Sequence, residues 1–561
     1  MTAQINLKIH LASSTVASSS EPLLKVAHES KVATLWGRVD LVADYEACRF
    51  LPSEPAEVAR IIESFCRSDE PIKAIHQLTE MVGSFILLLE DGGAIKFIYR
   101  SGEVEDPTYY GNVSDHLFIH SQWTEVLKQF NEIELSRPDL EYFFRHASVS
   151  ESGTLFKHLG IFKPYALYSL NENGLSLLTH AFPGFHKVDP NRPPKFQIDD
   201  YIKAVSSYKN IYQSFSLGYS GGTDSHMLAT TYDDKINQLI TITFKEPYAS
   251  LQRKKETMAA QAAAKKTQKK LTPAPVDFSS TEKHLTYFKH YVQYNPFSAY
   301  LAVHYYVLAE QAEAPAILTG QNADAIWGFG LHQLAVSKGA SYSTSGSFIF
   351  KDFSVFLKPS RNKIRNLAAK YLSRYAIINS YRKLRFERLI NIRRQYGSEY
   401  DSLRIFPYKM FLLHQYVNFC IAGDSTSWSS AARFYSKKAV LPFSSPMVLH
   451  VCSHIKRENY LDLKAPLRRL YTEFDPSLID LEQESASSYK QWSKSPLLNE
   501  FQDKPLGKEI LNLRAGFGIA KSDHPNHPYP LQEMHLYYLL GLIEESTNTT
   551  GHSLLKKLKA C

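Results

Sequence analysis

The architecture of this 561-residue chain can be inferred outward from nine residues, Leu217-Gly218-Tyr219-Ser220-Gly221-Gly222-Thr223-Asp224-Ser225. A β-type run from Phe215 to Tyr219 leads into them, and a helix-forming segment follows. Glycines without a Cβ let backbone N–H groups close around an anion, and the N-terminus of the next helix adds a positive dipole end. Ser220 and Ser225 can donate hydroxyl hydrogen bonds to phosphate oxygens, and Asp224 can hold Mg²⁺ beside them. The stretch therefore predicts a nucleotide-binding turn between a strand and a helix.

The same residues allow two other interpretations. A Gly-Gly pair is by itself an ordinary turn between strand and helix. Residues 218–222 also satisfy Gly-x-Ser-x-Gly, the pattern of a hydrolase nucleophile elbow, but that pattern leaves Asp224 and Ser225 unexplained. A Walker A loop is excluded because no Gly-Lys-Ser/Thr follows.

Composition indicates a globular protein of two or more domains. Hydrophobic residues make up 44% of the chain and charged residues 21%, and there is no apolar run of about eighteen residues that would predict a membrane span. The N-terminus lacks the pattern of a secretory signal. The cysteines are odd in number and scattered, without a C-x-x-C pair, which argues against a zinc site or a disulfide scaffold and favours a cytoplasmic location. They are Cys48, Cys66, Cys420, Cys452 and Cys561.

Pattern changes along the chain predict two domains. Residues 1–182 are β-rich, residues 183–197 form a linker dense in proline and polar residues, and residues 198–561 alternate helices with short apolar strands. Three apolar runs in the second domain each precede a loop and a helix, which predicts a parallel α/β sheet with ligands at the carboxyl ends of its strands. These runs are 215–219, 238–244 and 316–319. The first domain is predicted to contain strands at 32–36, 84–89, 94–99, 117–120 and 166–170 and helices at 54–67 and 71–81.

The net charge of +8 is concentrated between Lys351 and Arg394. This stretch contains thirteen cationic residues and only two anionic ones, Asp352 and Glu387. Apolar residues interleave there at helical spacing, so a pair of amphipathic helices with solvated basic faces explains the region. An anionic partner is the functional alternative: an acidic peptide, a membrane surface or, last, RNA. No nucleic-acid-binding motif supports RNA.

A second motif points to a family. Residues 318–328, Leu-Thr-Gly-Gln-Asn-Ala-Asp-Ala-Ile-Trp-Gly, resemble the Ser-Gly-Glu-Gly-Ala-Asp-Glu-Leu-Phe-Gly-Gly segment of asparagine synthetases, and residues 217–225 resemble the PP-loop of ATP pyrophosphatases. Asp324 follows Asp224 by one hundred residues. Further similar segments, in the family's order, are 153–157, 163–164, 295–298, 465–471 and 475–476. The resemblance therefore covers nearly the whole chain.

The resemblance implies an α/β protein whose N-terminal domain is α+β. That domain would be a degenerate class II amidotransferase sandwich, and it would precede a PP-loop ATP pyrophosphatase domain with a helical C-terminal part. In the family a carboxylate attacks Mg-ATP to give an acyl-adenylate and pyrophosphate, and an amine then displaces AMP. By the resemblance Mg²⁺ is held by Asp224 and Asp324, although a helix N-cap is the alternative role of Asp324. The residues implied in ATP binding are Leu217, Ser220, Gly221, Gly222, Thr223, Asp224, Ser225, Thr243 and Gly320.

Departures from the family exclude glutamine as the nitrogen source. The required N-terminal cysteine is Thr2, the family's Asn-Gly is Trp36-Gly37, and its Gly-Asp before a Phe strand is Gly83-Ser84-Phe85. Another amine is therefore expected. A lasso-peptide macrolactam cyclase fits best, because such cyclases also replace the Glu of the second motif, here Gln321. Its partner would be a precursor peptide, with a leader-peptide-binding protein and a protease as further candidates, and no nucleic acid and no membrane span are expected. A β-lactam or carbapenam synthetase is the alternative enzyme.

One mismatch concerns the lysine with which the family stabilises the adenylate transition state. Ungapped alignment places Glu484 at that position, where a carboxylate would repel phosphate. Lys490 is predicted to supply the cation if the loop is longer, with Lys494 as the alternative. A relative that only binds nucleotide or peptide is therefore a third interpretation. The residues predicted to be catalytic are Asp224, Asp324, Gln321 and Lys490.

Overall fold

The computed structural model describes residues 5–11, 16–18, 20–102, 107–146, 148–149, 153–183, 198–244, 257–258, 260–262, 264–265, 268–299, 303–323, 425–453, 496–498, 501–519 and 531–560. Within them the chain is α/β, built from three sheets and the helices that cover them. None of the described helices is both long and apolar enough to cross a membrane.

The described strands are β1 (Asn6–His10), β2 (Val16–Ser18), β3 (Leu24–His28), β4 (Lys31–Asp44), β5 (Arg49–Pro52), β6 (Met81–Asp91), β7 (Ala94–Arg100), β8 (Tyr109–Val113), β9 (His116–His120), β10 (Leu159–Ile161), β11 (Ala166–Asn171), β12 (Gly174–His180), β13 (Phe215–Gly218), β14 (Ile236–Phe244), β15 (Lys270–Val276), β16 (Ala316–Thr319) and β17 (Lys438–Val440). The described α-helices are α1 (Pro55–Cys66), α2 (Pro71–Ala74), α3 (Trp123–Leu127), α4 (Arg137–His146), α5 (Ile198–Val205), α6 (Thr223–Thr231), α7 (Thr281–Tyr294), α8 (Val303–Gln311), α9 (Thr426–Phe434), α10 (Pro446–Ser453), α11 (Pro505–Gly516), α12 (Leu531–Ser546) and α13 (Gly551–Ala560). Short 3₁₀ helices occur at 75–80, 206–208, 233–235, 442–444 and 496–498.

The first half of the chain contains two antiparallel sheets that pack face to face. One sheet has the order β10-β8-β9-β1-β2, and the other has the order β12-β11-β7-β6-β4-β3 with β5 paired to β4. Alternate residues of the strands point into the core between the sheets, among them Leu7, Ile119, Ile86 and Tyr168. The five strands predicted from sequence lie within β4, β6, β7, β9 and β11, so those predictions are confirmed.

The two predicted helices of this half differ in outcome. Residues 54–67 form α1, which begins with Pro55 at its first turn and buries Val58, Ile62 and Phe65 against the larger sheet. The prediction of one helix over 71–81 is wrong, because only 71–74 is α-helical, 75–80 is a 3₁₀ helix, and β6 begins at Met81. Three residues per turn place Ile75 and Leu78 on one side, where both are buried.

The second half contains a parallel five-stranded sheet of order β15-β14-β13-β16-β17, which confirms the predicted parallel sheet. Neighbouring residues of each strand point to opposite faces. Leu239 and Leu318 pack in the core that contains residues of α5, α6 and α10, whereas Ile240 and Ile317 pack in the core that contains residues of α7, α8 and α9. In the described part of the last third, α9 to α13 agree with the helical C-terminal part that the resemblance implies, and β17 is the described strand among them.

Both large cores contain residues from the two halves of the chain. One includes Phe50 with Leu217, and the other includes Trp123 with Phe288. The indole N–H of Trp123 also donates to the carbonyl of Gln293 over 3.2 Å. Most of the predicted linker, residues 184–197, lies outside the described residues, so the domain limits 1–182 and 198–561 stay a prediction.

Residues 295–298 connect three parts of the molecule. The side-chain amide of Asn295 donates to Ser430 Oγ over 2.7 Å, and the Val149 N–H donates to the Phe297 carbonyl over 3.1 Å. His535 Nε2 lies 2.9 Å from the Pro296 carbonyl and donates to it, because a carbonyl oxygen only accepts. Burial lowers the pKa of His535 to about 4, so its ring is neutral at pH 7.

Candidate functional site

The predicted glycine turn lies at the carboxyl end of β13, the central strand of the parallel sheet. Gly221 has φ +78°, a left-handed conformation that a residue with a Cβ adopts at a cost, and Gly222 is the extended N-cap of α6. The order of strands reverses here, because the chain passes from β13 to β14 on one side and later enters β16 on the other. Open parallel sheets bind ligands at such a point, outside the carboxyl ends of the strands. The geometry therefore places residues 219–223 at the expected ligand crevice.

Two hydroxyl groups bracket the turn. Ser220 Oγ lies 3.3 Å from Ser225 Oγ and accepts from the Gly222 N–H, also over 3.3 Å. Ser225 Oγ donates to the Gly222 carbonyl over 2.9 Å. Ser220 is exposed and Ser225 is buried, so the pair extends from solvent to the base of the turn. Both hydroxyls lie where the sequence predicted phosphate contacts.

The N-terminus of α6 begins directly after the glycine turn. The first amide groups of a helix have no acceptor within the helix, and the N-cap residue Gly222 provides no side chain to cap them. Asp224 lies in this first turn and is half-buried. Thr223 begins the helix and is buried. The combination of a positive helix end, two hydroxyls and one carboxylate suits an anion that is accompanied by a divalent cation.

The second motif approaches the first at Gly320. A Cβ on Gly320 would lie 3.1 Å from the Ser225 nitrogen and 3.3 Å from the carbonyl carbon of Asp224. The turn after β16 is therefore in close contact with the first turn of α6, and only glycine fits without displacement. Gln321 follows, half-buried, and its N–H donates to Thr319 Oγ1 over 3.2 Å. Gly320 thus lies against the first turn of α6, and Gln321 is the next residue along the chain; the roles predicted for both stay predictions.

Two features at the site were missed by the sequence reasoning. Tyr219 and His226 form a buried hydrogen bond of 2.7 Å between the phenol oxygen and Nδ1, and burial raises the pKa of Tyr219. Asn322 is buried with φ +71°, and its side-chain amide donates to Ser444 Oγ over 3.3 Å. The first pair joins β13's end to α6, and the second joins the second motif to the segment after β17. Asn adopts a positive φ more readily than most residues. The Asn at position 322 is therefore the one sequence signal that could have singled out this residue.

Two of the other predicted ATP-binding residues lie in the sheet. The side chain of Leu217 is fully buried in the core, so a ligand could meet only its backbone. Thr243 is half-buried near the carboxyl end of β14, three residues beyond Ile240, which pairs with Gly218. Thr243 therefore lies on the same edge of the sheet as the glycine turn. Several other predictions lie outside the described residues: Asp324, Glu484, Lys490, Lys494 and the basic region 351–394.

The residues that the sequence aligned with the amidotransferase pattern lie opposite each other in the first half. Gly37 in β4 pairs with Phe85 in β6, and φ at Gly37 is +109° with the Ser84 carbonyl so close that a Cβ would lie 2.4 Å from it. Arg100 is buried beside them and donates to Ser84 Oγ over 3.1 Å and to the Phe85 carbonyl over 2.9 Å. Protein groups thus meet one another at the position that the resemblance aligned with the Gly-Asp pair of asparagine synthetases.

Comparison with known proteins gives only distant likenesses. No protein-family model matches the chain, and no curated protein matches it. Among solved structures, the allosteric regulatory enzyme of purine biosynthesis is 12% identical with a TM-score of 0.19, covering 45% of this chain and 47% of its own. The glutamine phosphoribosylpyrophosphate amidotransferase of B. subtilis, complexed with ADP and GMP, is 11% identical with a TM-score of 0.18, covering 46% of this chain and 48% of its own. This chain thus spans about half the length of each.

The contact at Gly320 gives a testable expectation. Gly320→Ala adds a Cβ at 3.1 Å from backbone that must move, and overpacking of this kind costs about 1–3 kcal/mol. Because the atoms that move belong to Asp224 and Ser225, we expect binding of a Mg-ATP analogue to weaken about tenfold or more, equivalent to about 1.4 kcal/mol. Calorimetric titration of both proteins measures this. Gly541→Ala is the matched control, since an added Cβ there meets nothing within 4 Å. Equal affinity in wild type and Gly320→Ala would contradict the expectation.

Proposed function

We propose that the chain binds Mg-ATP at residues 220–225 and uses it to form an amide bond through an acyl-adenylate, with release of AMP and pyrophosphate. One observation carries the proposal. The glycine turn and Asp224 follow the central strand of the parallel sheet at its topological switch point, and Gly320 of the second motif packs directly on Asp224. The two stretches that resemble ATP pyrophosphatases and asparagine synthetases are therefore neighbours in space.

The described chemistry of Ser220 does not favour a hydrolase. A nucleophilic serine needs a base that accepts its proton, most often a histidine in hydrogen-bond reach. The described partners of Ser220 Oγ are Ser225 Oγ and the Gly222 N–H, and Nδ1 of His226 is engaged by Tyr219 instead. A phosphate contact suits two hydroxyls beside a helix N-terminus better than a nucleophilic role does.

Each residue of the site has a distinct role in the proposal. The amides of residues 221–223 and the hydroxyls of Ser220 and Ser225 hold phosphate oxygens, and Asp224 with Asp324 would hold Mg²⁺. Bound there, Mg²⁺ neutralises charge that develops on the departing pyrophosphate. Gln321 lies beside the reacting acyl group, and Lys490 is proposed as the cation at the α-phosphorus. Thr243 and the Leu217 backbone are proposed to contact the nucleoside.

We infer further that the amine comes from the substrate and not from glutamine. Ser84 stands where the family has an Asp, and the described Ser84 hydroxyl already accepts from the buried Arg100. Ring closure between an amine and a side-chain carboxylate of one peptide, as in lasso-peptide cyclases, is the activity we propose. A β-lactam-type closure of a small molecule is the alternative, and it shares the adenylate.

Nucleotide binding tests the proposal without knowledge of the acyl substrate. Calorimetric titration of the full chain with a non-hydrolysable ATP analogue should show one site that needs Mg²⁺ and discriminates against GTP. With candidate peptides, turnover should release AMP and pyrophosphate and not ADP. A chain that binds no adenine nucleotide with Mg²⁺, or one that forms ADP, would contradict the proposal.

A further inference from the structure

A cluster of three potential metal ligands lies in the first half, on strands that are separate from the nucleotide site. His10 ends β1, His116 begins β9, and Asp115 precedes it in the turn. Nε2 of His10 lies 2.8 Å from one carboxylate oxygen of Asp115, and Nδ1 of His116 lies 2.6 Å from the other. One potential ligand atom from each residue lies within 4.8 Å of the other two. Among the described residues this is the group of His, Cys, Asp and Glu side chains that could hold a metal ion.

Strand pairing fixes the two histidines opposite each other. His10 and His116 are partners in the antiparallel register of β1 and β9. The Leu11 N–H donates to the Asp115 carbonyl over 2.8 Å, which makes Leu11 and Asp115 a hydrogen-bonded pair. Because the two kinds of pair alternate along antiparallel strands, His10 and His116 form a non-hydrogen-bonded pair, whose side chains lie closest together. Their ring centroids are 5.0 Å apart.

A tight turn fixes the carboxylate between the rings. Val113 of β8 pairs with His116 of β9, so Ser114 and Asp115 alone connect the two strands. Ser114 has φ +54°, the left-handed conformation common in two-residue hairpin turns. Asp115 is therefore held at both sides, by its turn and by the bond from Leu11. All three ligands are positioned by backbone before any ion binds.

We propose that His10, Asp115 and His116 bind a divalent transition-metal ion of the Zn²⁺ type. Imidazole nitrogen and carboxylate oxygen are among the ligands that bind Zn²⁺, at about 2.0–2.2 Å. The side chains are 32%, 58% and 27% exposed, so an ion reaches them from solvent. Three protein ligands leave a coordination position open to water. The bound ion would clamp β1 to the β8–β9 turn.

The ammonium group of Lys8, a cation near the cluster on the outward face of the sheet, lies on an aromatic ring. Lys8 lies two residues before His10 on β1, and its ammonium group lies over the Phe118 ring at 5.3 Å from the centroid. In the absence of metal the two rings share the oxygens of one carboxylate. Coordination of Zn²⁺ by His10, Asp115 and His116 would replace these two hydrogen bonds.

The test is a titration of the full chain with Co²⁺ and then Zn²⁺. We expect one Co²⁺ per chain with visible absorption bands of a nitrogen- and oxygen-bound ion, displaced by Zn²⁺. His10→Ala and His116→Ala should each weaken binding by at least about 100-fold, because loss of even a hydrogen-bonding partner behind a ligand costs about 10- to 100-fold. Zn²⁺ should raise the unfolding temperature of the wild type and not of these variants.

His120→Ala is the matched control, since His120 lies on the same face of β9 as His116 but outside the cluster. It should bind Co²⁺ like the wild type. Equal loss of binding in His120→Ala and His116→Ala, binding that survives in both His10→Ala and His116→Ala, or no binding by the wild type would each overturn the proposal. Because nucleotide binding is measured separately, failure here leaves the proposed ATP site standing.

Discussion

Asp224→Ala is expected to abolish Mg²⁺-dependent binding of an ATP analogue while leaving the fold intact. Asp224 is the carboxylate in the first turn of α6, beside the turn proposed to hold the phosphates. Without it Mg²⁺ loses a ligand, and the negative phosphates lose the cation that balances them. We expect affinity to fall by at least about 100-fold, equivalent to about 2.7 kcal/mol. Titration calorimetry with and without Mg²⁺ measures this directly.

Two further variants sharpen the result. Asp224→Asn keeps the shape and removes only the charge, so it should lose most of the Mg²⁺-dependent affinity as well. Asp234→Ala is the matched control, because Asp234 lies just beyond the same helix, exposed and paired with Lys209 at 2.6 Å. It should bind like the wild type. Undiminished Mg²⁺-dependent binding by Asp224→Ala, with an unchanged unfolding temperature, would remove Asp224 from the metal site.

The position of the second motif shows why part of the candidate nucleotide site, the proximity of residues 220–225 to Gly320, could be predicted from the sequence. The apolar runs of β13, β14 and β16 are local signals, and three strands each followed by a helix imply a parallel sheet. Their carboxyl ends then meet at one edge whatever the helices between them contain. Proximity of Gly320 to Asp224 follows from that topology, and the structure adds the 3.1 Å approach that only glycine fits.

Contacts between residues far apart in the chain could not be predicted from the sequence, because no local pattern indicates them. Asn322 meets Ser444, 122 positions later, and His10 meets Asp115, 105 positions later. Each contact depends on which strands become neighbours, and a strand pattern does not state its partner. The 3₁₀ helix at 75–80 was missed for a different reason. The apolar residues of this 3₁₀ helix also fit the spacing of an α-helix. The helix ends where β6 begins at Met81, and that boundary depends on the pairing of β6 with β4.

The first half bears on the proposal of a substrate-borne amine. By the resemblance, Trp36-Gly37 and Ser84 stand where asparagine synthetases have groups that hold glutamine. In the structure Gly37 pairs with Phe85 between β4 and β6, and the buried Arg100 donates to Ser84 Oγ and to the Phe85 carbonyl. The first half also packs against the second half through the cores that both halves share.

Glu533→Gln is expected to cause a large loss of stability. Glu533 in α12 is fully buried and forms an ion pair with Arg514 in α11, whose side chain is 7% exposed. Removal of one partner from a buried pair costs about 3–5 kcal/mol, because the remaining charge keeps its desolvation penalty. Urea unfolding followed by circular dichroism measures the change. Glu545→Gln, an exposed position on the same helix, should change the free energy of unfolding by less than about 0.5 kcal/mol.

The double variant Arg514→Met with Glu533→Leu separates charge from packing. Apolar residues of similar volume often replace a buried ion pair without loss, so we expect this variant to recover most of the stability that Glu533→Gln loses. The position also bears on the site, because α12 carries His535, which donates to the Pro296 carbonyl in the segment that resembles the synthetase family. If the ion pair only orients α12, the double variant should bind the ATP analogue like the wild type. If it unfolds as readily as Glu533→Gln, packing and not charge sets the stability of this helix pair.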